Sequence, residues 1–91
     1  MNISVDLRLS TSADGKVKAH ADITIPLGDD GLLRILGFSV IERDSESPWV
    51  APPARKGQFR YFDIVSLIGK IKASVDEAVI TEYRRQKAVR P

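Results

Sequence analysis

Between Ile3 and Leu9 every second residue is apolar: Ile3, Val5, Leu7 and Leu9 alternate with Ser4, Asp6 and Arg8. A period of two marks a strand with one buried and one wet face. From Lys16 to Ile25 the alternation returns, with Val17, Ala19, Ala21, Ile23 and Ile25 on one side and Lys16, Lys18, His20, Asp22 and Thr24 on the other. Ser12-Ala13-Asp14-Gly15 lies between the two runs, and Asp-Gly is a hairpin turn signal. The pattern therefore predicts an antiparallel hairpin.

Pro26 should end the second strand, and Leu27 to Gly31, with Asp29 and Asp30, reads as a loop. The stretch Leu32 to Arg43, LLRILGFSVIER, is apolar without clean alternation. Its β-branched and aromatic residues favour a third strand, from Leu32 to Ile41. Apolar residues on both of its faces predict a central strand, or one covered by a helix or a second subunit. Gly37 inside the run predicts a bulge or a close packing contact. Asp44 to Ser47 is polar and turn-forming. Trp49 and Val50 read as a short buried strand that Pro52 and Pro53 stop, because proline cannot donate to a ladder. Arg55, Lys56 and Gly57 then form a solvated loop tip, and Phe59 to Ile64 closes the sheet as a fifth strand.

Beyond Asp63 the period changes. Ile68, Ile71, Val75, Ala78, Val79 and Tyr83 fall on one helical stripe, with Lys70, Glu77, Thr81 and Arg84 on the other side. Ser66 is one candidate N-cap, and Ser74 followed by Glu77 is a capping box that would start the helix later. Arg84, Arg85 and Lys87 near the end complement the helix dipole. The expected architecture is α+β, a five-stranded antiparallel sheet with one C-terminal helix packed on it, in a single domain spanning residues 1–91.

Composition narrows the function classes. A chain of 91 residues builds one core with little stability to spare. It has no Cys, which excludes disulfides and thiolate chemistry. The first residues, MNISVDLRLS, lack the basic region and apolar run of a signal peptide, and no apolar stretch approaches membrane-spanning length. A cytoplasmic protein is expected. The formal charge of +2 is mild, but it is unevenly placed. From Arg55 onward there are nine cations and four anions, a charge of +5, which leaves −3 for the rest of the chain. Such asymmetry points to a basic face for a polyanion.

Candidate chemistry is sparse. His20, the only His, sits mid-strand on the polar side and reads as a solvated surface residue; a Ser–His–Asp arrangement with Asp22 or Asp6 lacks a nucleophile elbow and an oxyanion hole. Asp29 and Asp30 lack the spaced ligands of a calcium site, so no metal is expected. The glycines are scattered and form no phosphate-binding loop, and no cofactor is expected. Two features remain. The first is a basic set: Arg55, Lys56 and Arg60 around the proline-rich segment, Lys70 and Lys72 at the helix start, Arg84 and Arg85 near its end. It can grip an anionic partner, with free helix N–H groups supporting Lys70 and Lys72, or it can be plain solvation. The second is the aromatic group Trp49, Phe59, Tyr61 and Phe62. These rings can stack bases of a single strand, although the pattern favours the core for Trp49 and Phe59.

Three segments, DLRLSTSADGKVKAHADITI, FSVIERDSESPWVAPPARKGQFRYFDI and DEAVITEYRR, resemble in order and spacing the SpoVG family, the stage V sporulation protein G or septation regulator. The most specific parts are Asp6-Leu7-Arg8-Leu9, Asp14-Gly15-Lys16, the segment WVAPPARKG, and Ala78-Val79 to Glu82-Tyr83-Arg84. The chain differs in having only Gly57 and Gln58 between its basic pair and Phe59, and in ending at Pro91 without an acidic tail. The resemblance implies a sheet-plus-helix fold that dimerises and binds DNA, and in some members RNA, as a regulator of septation- or sporulation-type gene expression. It places binding on Arg55 and Lys56 by motif, and more loosely on Lys70 and Lys72.

Two functions are thus in play. One is a homodimeric nucleic-acid-binding regulator without enzymatic activity, with neither membrane nor small-molecule substrate, in which Arg55, Lys56, Lys70 and Lys72, then Arg84 and Arg85, contact phosphates. The other is a protein-interaction module acting through a sheet edge and the apolar third strand.

Overall fold

A computed structural model describes residues 2–10, 15–43 and 46–89. The expected Asp-Gly turn, apart from Gly15, lies outside the described residues. The first two runs form β1 (Ser4–Leu9) and β2 (Val17–Pro26), paired antiparallel with Leu7 opposite Ala21. A short 3-10 turn, Gly28–Asp30, leads into β3 (Leu32–Ile41), which lies antiparallel against β2. Next comes β4 (Trp49–Ala51), paired with the end of β3 through Val50 opposite Val40. The sheet order is β1-β2-β3-β4.

The ladder between β2 and β3 is interrupted where the glycine predicted. Ala21 faces Phe38 and Ile23 faces Ile35, so Asp22 stands opposite both Leu36 and Gly37. The extra residue is accommodated by Gly37 at φ +93°, and its N–H donates to Asp22 Oδ1 at 3.1 Å. Arg8 donates to the same carboxylate at 3.2 Å. That guanidinium, helped by the Gly37 amide, holds the Asp22 carboxyl below its ordinary range.

The sheet does not take a fifth strand. Pro52 and Pro53 offer no N–H to continue the ladder beyond Ala51. The chain leaves the sheet there and makes a separate two-stranded hairpin, β5 (Ala54–Lys56) with β6 (Tyr61–Asp63). Its base is closed by the Ile64 N–H donating to Pro53 O at 2.8 Å. The fold is therefore α+β, with a four-stranded sheet and a two-stranded ribbon in place of a single five-stranded sheet.

The helix α1 spans Lys70–Val89. It starts at neither Ser66 nor Ser74: Gly69, at φ +90°, immediately precedes it. Ile68 consequently lies outside the helix, 83% exposed, and is not part of the stripe. Ala78 is not in the core either and lines a surface concavity, while Ile80 packs on the core; the remaining stripe residues hold. Val75, Val79 and Tyr83 are buried against Leu7, Ala19, Ala21, Ile23, Phe38, Val40 and Val50, with Ile71 packed beside them. The far end of α1 is latched by polar contacts. Tyr83 donates its hydroxyl to Glu42 at 2.7 Å, Lys87 donates to the same carboxylate at 3.0 Å, and Gln86 donates to Leu7 O at 3.2 Å. The Tyr83 and Lys87 bonds push the Glu42 carboxyl down, while burial and Glu42 push the Tyr83 hydroxyl up.

Candidate nucleic-acid interface

The hairpin of β5 and β6 carries the densest gathering of cations and rings among the described residues. Its register sets Arg55 opposite Phe62, Lys56 opposite Tyr61 and Ala54 opposite Asp63. Side chains alternate along a strand, so Arg55 and Phe62 share one face of the ribbon, and Lys56 and Tyr61 share the other. Arg55 and Lys56 are thus strand residues and not a loop tip. The tip is Gln58 and Phe59, closed by the Gly57 N–H donating to Arg60 O at 2.7 Å. The reason for the shift is pairing: once the prolines have turned the chain out of the sheet, Ala54–Lys56 finds its ladder partner in Tyr61–Asp63.

One ring organises this ribbon. The guanidinium of Arg60 sits 4.7 Å from the centroid of Phe62, and that of Arg55 sits 5.9 Å from it, both within cation–π range. The ring also lies across Gly57, where an added Cβ would come 2.3 Å from Phe62 Cε2. Glycine is required at that position for the ring to rest there. Phe62 is occupied within the hairpin; the other two rings are not. Phe59 is 91% exposed and Tyr61 70% exposed. Trp49, on β4, is 46% exposed. The expectation that Trp49 and Phe59 belong to the core is therefore corrected: the core ends at Val50, and a three-residue strand pair next to a proline break has no opposing layer to bury a ring.

The basic set divides in space. Lys72 and Asp63 line one cavity of about 150 Å³ with Phe38, Val50 and Pro52, which puts the start of α1 beside the base of the hairpin. Lys70, the first helical residue, lies at this same end. Arg84 and Arg85 are 14 and 15 positions further along α1, about 20 Å away at 1.5 Å per residue. The fold therefore sets Lys70 and Lys72 beside the base of the hairpin that carries Arg55, Lys56 and Arg60, and leaves Arg84 and Arg85 far along α1.

The cations also differ in availability. Lys72 donates to Asp76 at 2.6 Å, and Arg85 is held by Glu82, with its Nε at 3.0 Å from Oε1. The Arg85 and Gln86 bonds bring the Glu82 carboxyl down to about 2, so that partner stays charged at neutral pH. Arg55, Lys56, Arg60, Lys70 and Arg84 are exposed and make no ion pair with any described residue. Two lysines in a first turn that contains no acid run against the helix dipole, although Lys72 is paired with Asp76 one turn on. That is a small local cost, and a bound anion would relieve it.

A second concavity, about 440 Å³, lies between β1 and α1 and is lined by Ile3, Val5, Ser74, Glu77, Ala78, Thr81 and Glu82. Its two carboxylates make it a poor seat for phosphate. His20 is exposed, and no group of three or more His, Cys, Asp or Glu gathers among the described residues. No helix among them is long and apolar enough to cross a membrane.

Sequence reasoning placed Arg60 near the site but not in it, and it missed Trp49 and Phe59 as exposed rings. The signal that could have found Phe59 is the Pro52-Pro53 pair, which denies the following residues a place in the main sheet. No protein-family model matches the chain, and no match is found among curated proteins.

Proposed function

We propose that this protein is a homodimeric nucleic-acid-binding regulator of the SpoVG type, acting on DNA or RNA without enzymatic activity. The observation that carries the reading is the projecting hairpin with unpaired Arg55, Lys56 and Arg60, and with Lys70 and Lys72 beside its base. Phosphates dominate the affinity of such proteins and are met by exposed lysines and arginines. Arg55, Lys56 and Lys70 are the principal contacts; Lys72 is a weaker one, because Asp76 already holds its ammonium. Arg84 and Arg85 are peripheral, and a second copy related by a two-fold axis would bring another basic end to the target. Dimerisation is further supported by Leu32, Leu33 and Leu36, which lie exposed on the first half of β3 with Leu27 beside them. The resemblance in sequence is what supports reading the process as regulation of septation- or sporulation-type gene expression in the cytoplasm.

The test is a binding titration of Arg55→Ala/Lys56→Ala beside the wild type at several salt concentrations. Both residues lie outside the core, so stability should change by no more than about 0.5 kcal/mol. The slope of log affinity against log salt should fall by roughly two per protomer. Equal affinity with equal slope would remove the pair from the interface. It would also shift weight to a protein-interaction module, which the groove along the sheet-edge strand β1 favours. Binding of that kind is nearly insensitive to salt.

A further inference from the structure

Phe59 and Tyr61 present two aromatic side chains to water on a ribbon that also exposes Arg55, Lys56 and Arg60, with one anion, Asp63, at its base. Exposed apolar surface of this kind is costly to keep in solution unless a partner covers it. Phe62 is less exposed, at 40%, and has Gly57, Arg55 and Arg60 against its ring, whereas no such contact is seen for Phe59 or Tyr61 among the described residues.

From this we infer that the hairpin tip binds single-stranded nucleic acid by base stacking, with Phe59 and Tyr61 as platforms and Lys56, which shares Tyr61's face of the ribbon, meeting the flanking phosphate. The inference rests on the nucleic-acid reading above and names its ligand class. Three observations carry it. First, every base has a π-face, and ring stacking with cations alongside is the chemistry of strand-binding grooves. Second, two residues span at most about 7 Å of backbone. Successive bases in a duplex advance only about 3.4 Å per strand and are stacked on each other. Rings two residues apart suit bases pulled apart from their neighbours, and a paired duplex hides those faces. Third, a second copy is a poor occupant of this patch. A two-fold interface sets a patch against itself, and here that would put Arg55, Lys56 and Arg60 against the same three cations.

The experiment compares wild type, Phe59→Ala/Tyr61→Ala and Arg55→Ala/Lys56→Ala by fluorescence anisotropy. The probes are a labelled oligothymidylate of about 12 nucleotides and a duplex of the same length, each over a range of salt. Thermal unfolding and sedimentation are followed in parallel. The wild type should prefer the single strand. The ring variant should lose about fivefold or more in affinity per ring for the single strand, with an unchanged salt slope because no charge is removed. Its melting and its oligomeric state should match the wild type. A ring variant that binds like wild type, with single strand and duplex bound equally, overturns the stacking inference while leaving nucleic-acid binding intact. A ring variant that no longer self-associates assigns the rings to a protein interface and overturns it as well. If no oligonucleotide binds even the wild type, the broader reading falls with it.

Discussion

Gly37 shows how much of this fold hangs on single positions. Its positive φ lets β3 carry an extra residue opposite Asp22, and its N–H gives that carboxylate a partner. An added Cβ would meet only Pro53, at an ordinary 3.8 Å, so space is not the constraint; the backbone angle is. Gly37→Ala should therefore cost about 1–3 kcal/mol of stability, read as a lower urea midpoint with an unchanged slope. No change would mean that the bulge relaxes without strain. Gly57 is the opposite case, where the constraint is space: the Phe62 ring occupies the room a Cβ would need. Asp22 itself joins three strands, since Arg8 comes from β1 and the Gly37 amide from β3. None of these roles follows from residue type alone, because each depends on what stands across the ladder.

The helix and the hairpin are held by different forces. The helix α1 is docked through Val75 and Val79, both fully buried, and latched at its end by Glu42 and Leu7 O. An unpaired charge in that layer costs several kcal/mol, a large part of the roughly 5–15 available to a domain. Val79→Asp should leave the chain unfolded at room temperature by circular dichroism; a normal melting curve would mean that α1 is not docked through this face. The hairpin has no comparable layer. It is tied down by the prolines at its base, the Ile64 to Pro53 hydrogen bond and the Phe62 stack. This makes it a ribbon whose side chains can be changed with little effect on the core, which is what a binding element requires.

Across the whole molecule, Arg55, Lys56 and Arg60 lie on the hairpin while Lys16, Lys18, Arg43 and Arg84, which also make no ion pair with any described residue, lie off it, and the exposed leucines lie on the first half of β3. One short helix covers only the part of the inner sheet face that contains Leu7, Ala21, Phe38 and Val50. The proposed dimer would cover the leucines, leaving the cationic ribbon free. Sedimentation at micromolar concentration should then show a species of twice 10.1 kDa. Leu32→Glu/Leu36→Lys should reduce it to the monomer without unfolding, since neither side chain is in the core. A wild type that sediments only as the monomer would remove the dimer from the proposal.

The periodic parts of the chain are legible in the sequence itself. β1, β2 and the docked stripe of α1 announce themselves because a buried face repeats every two or every 3.6 residues, and repetition over six or more residues leaves little ambiguity. β3 was bounded at Leu32 and Ile41 by its β-branched content, and its bulge by Gly37. The cationic residues of the candidate site could be named, but not sorted. Which of them converge depends on where the helix starts and how long it is, and which are free depends on neighbours such as Asp76 and Glu82. The fate of residues 52–64 was beyond the pattern. A run of three residues is too short to show a period, so a strand joining the sheet and a strand folding back on its own predecessor look alike in sequence. The pairing of Arg55 with Phe62 decided between them, and it left Phe59 in water instead of in the core, with Tyr61 exposed beside it.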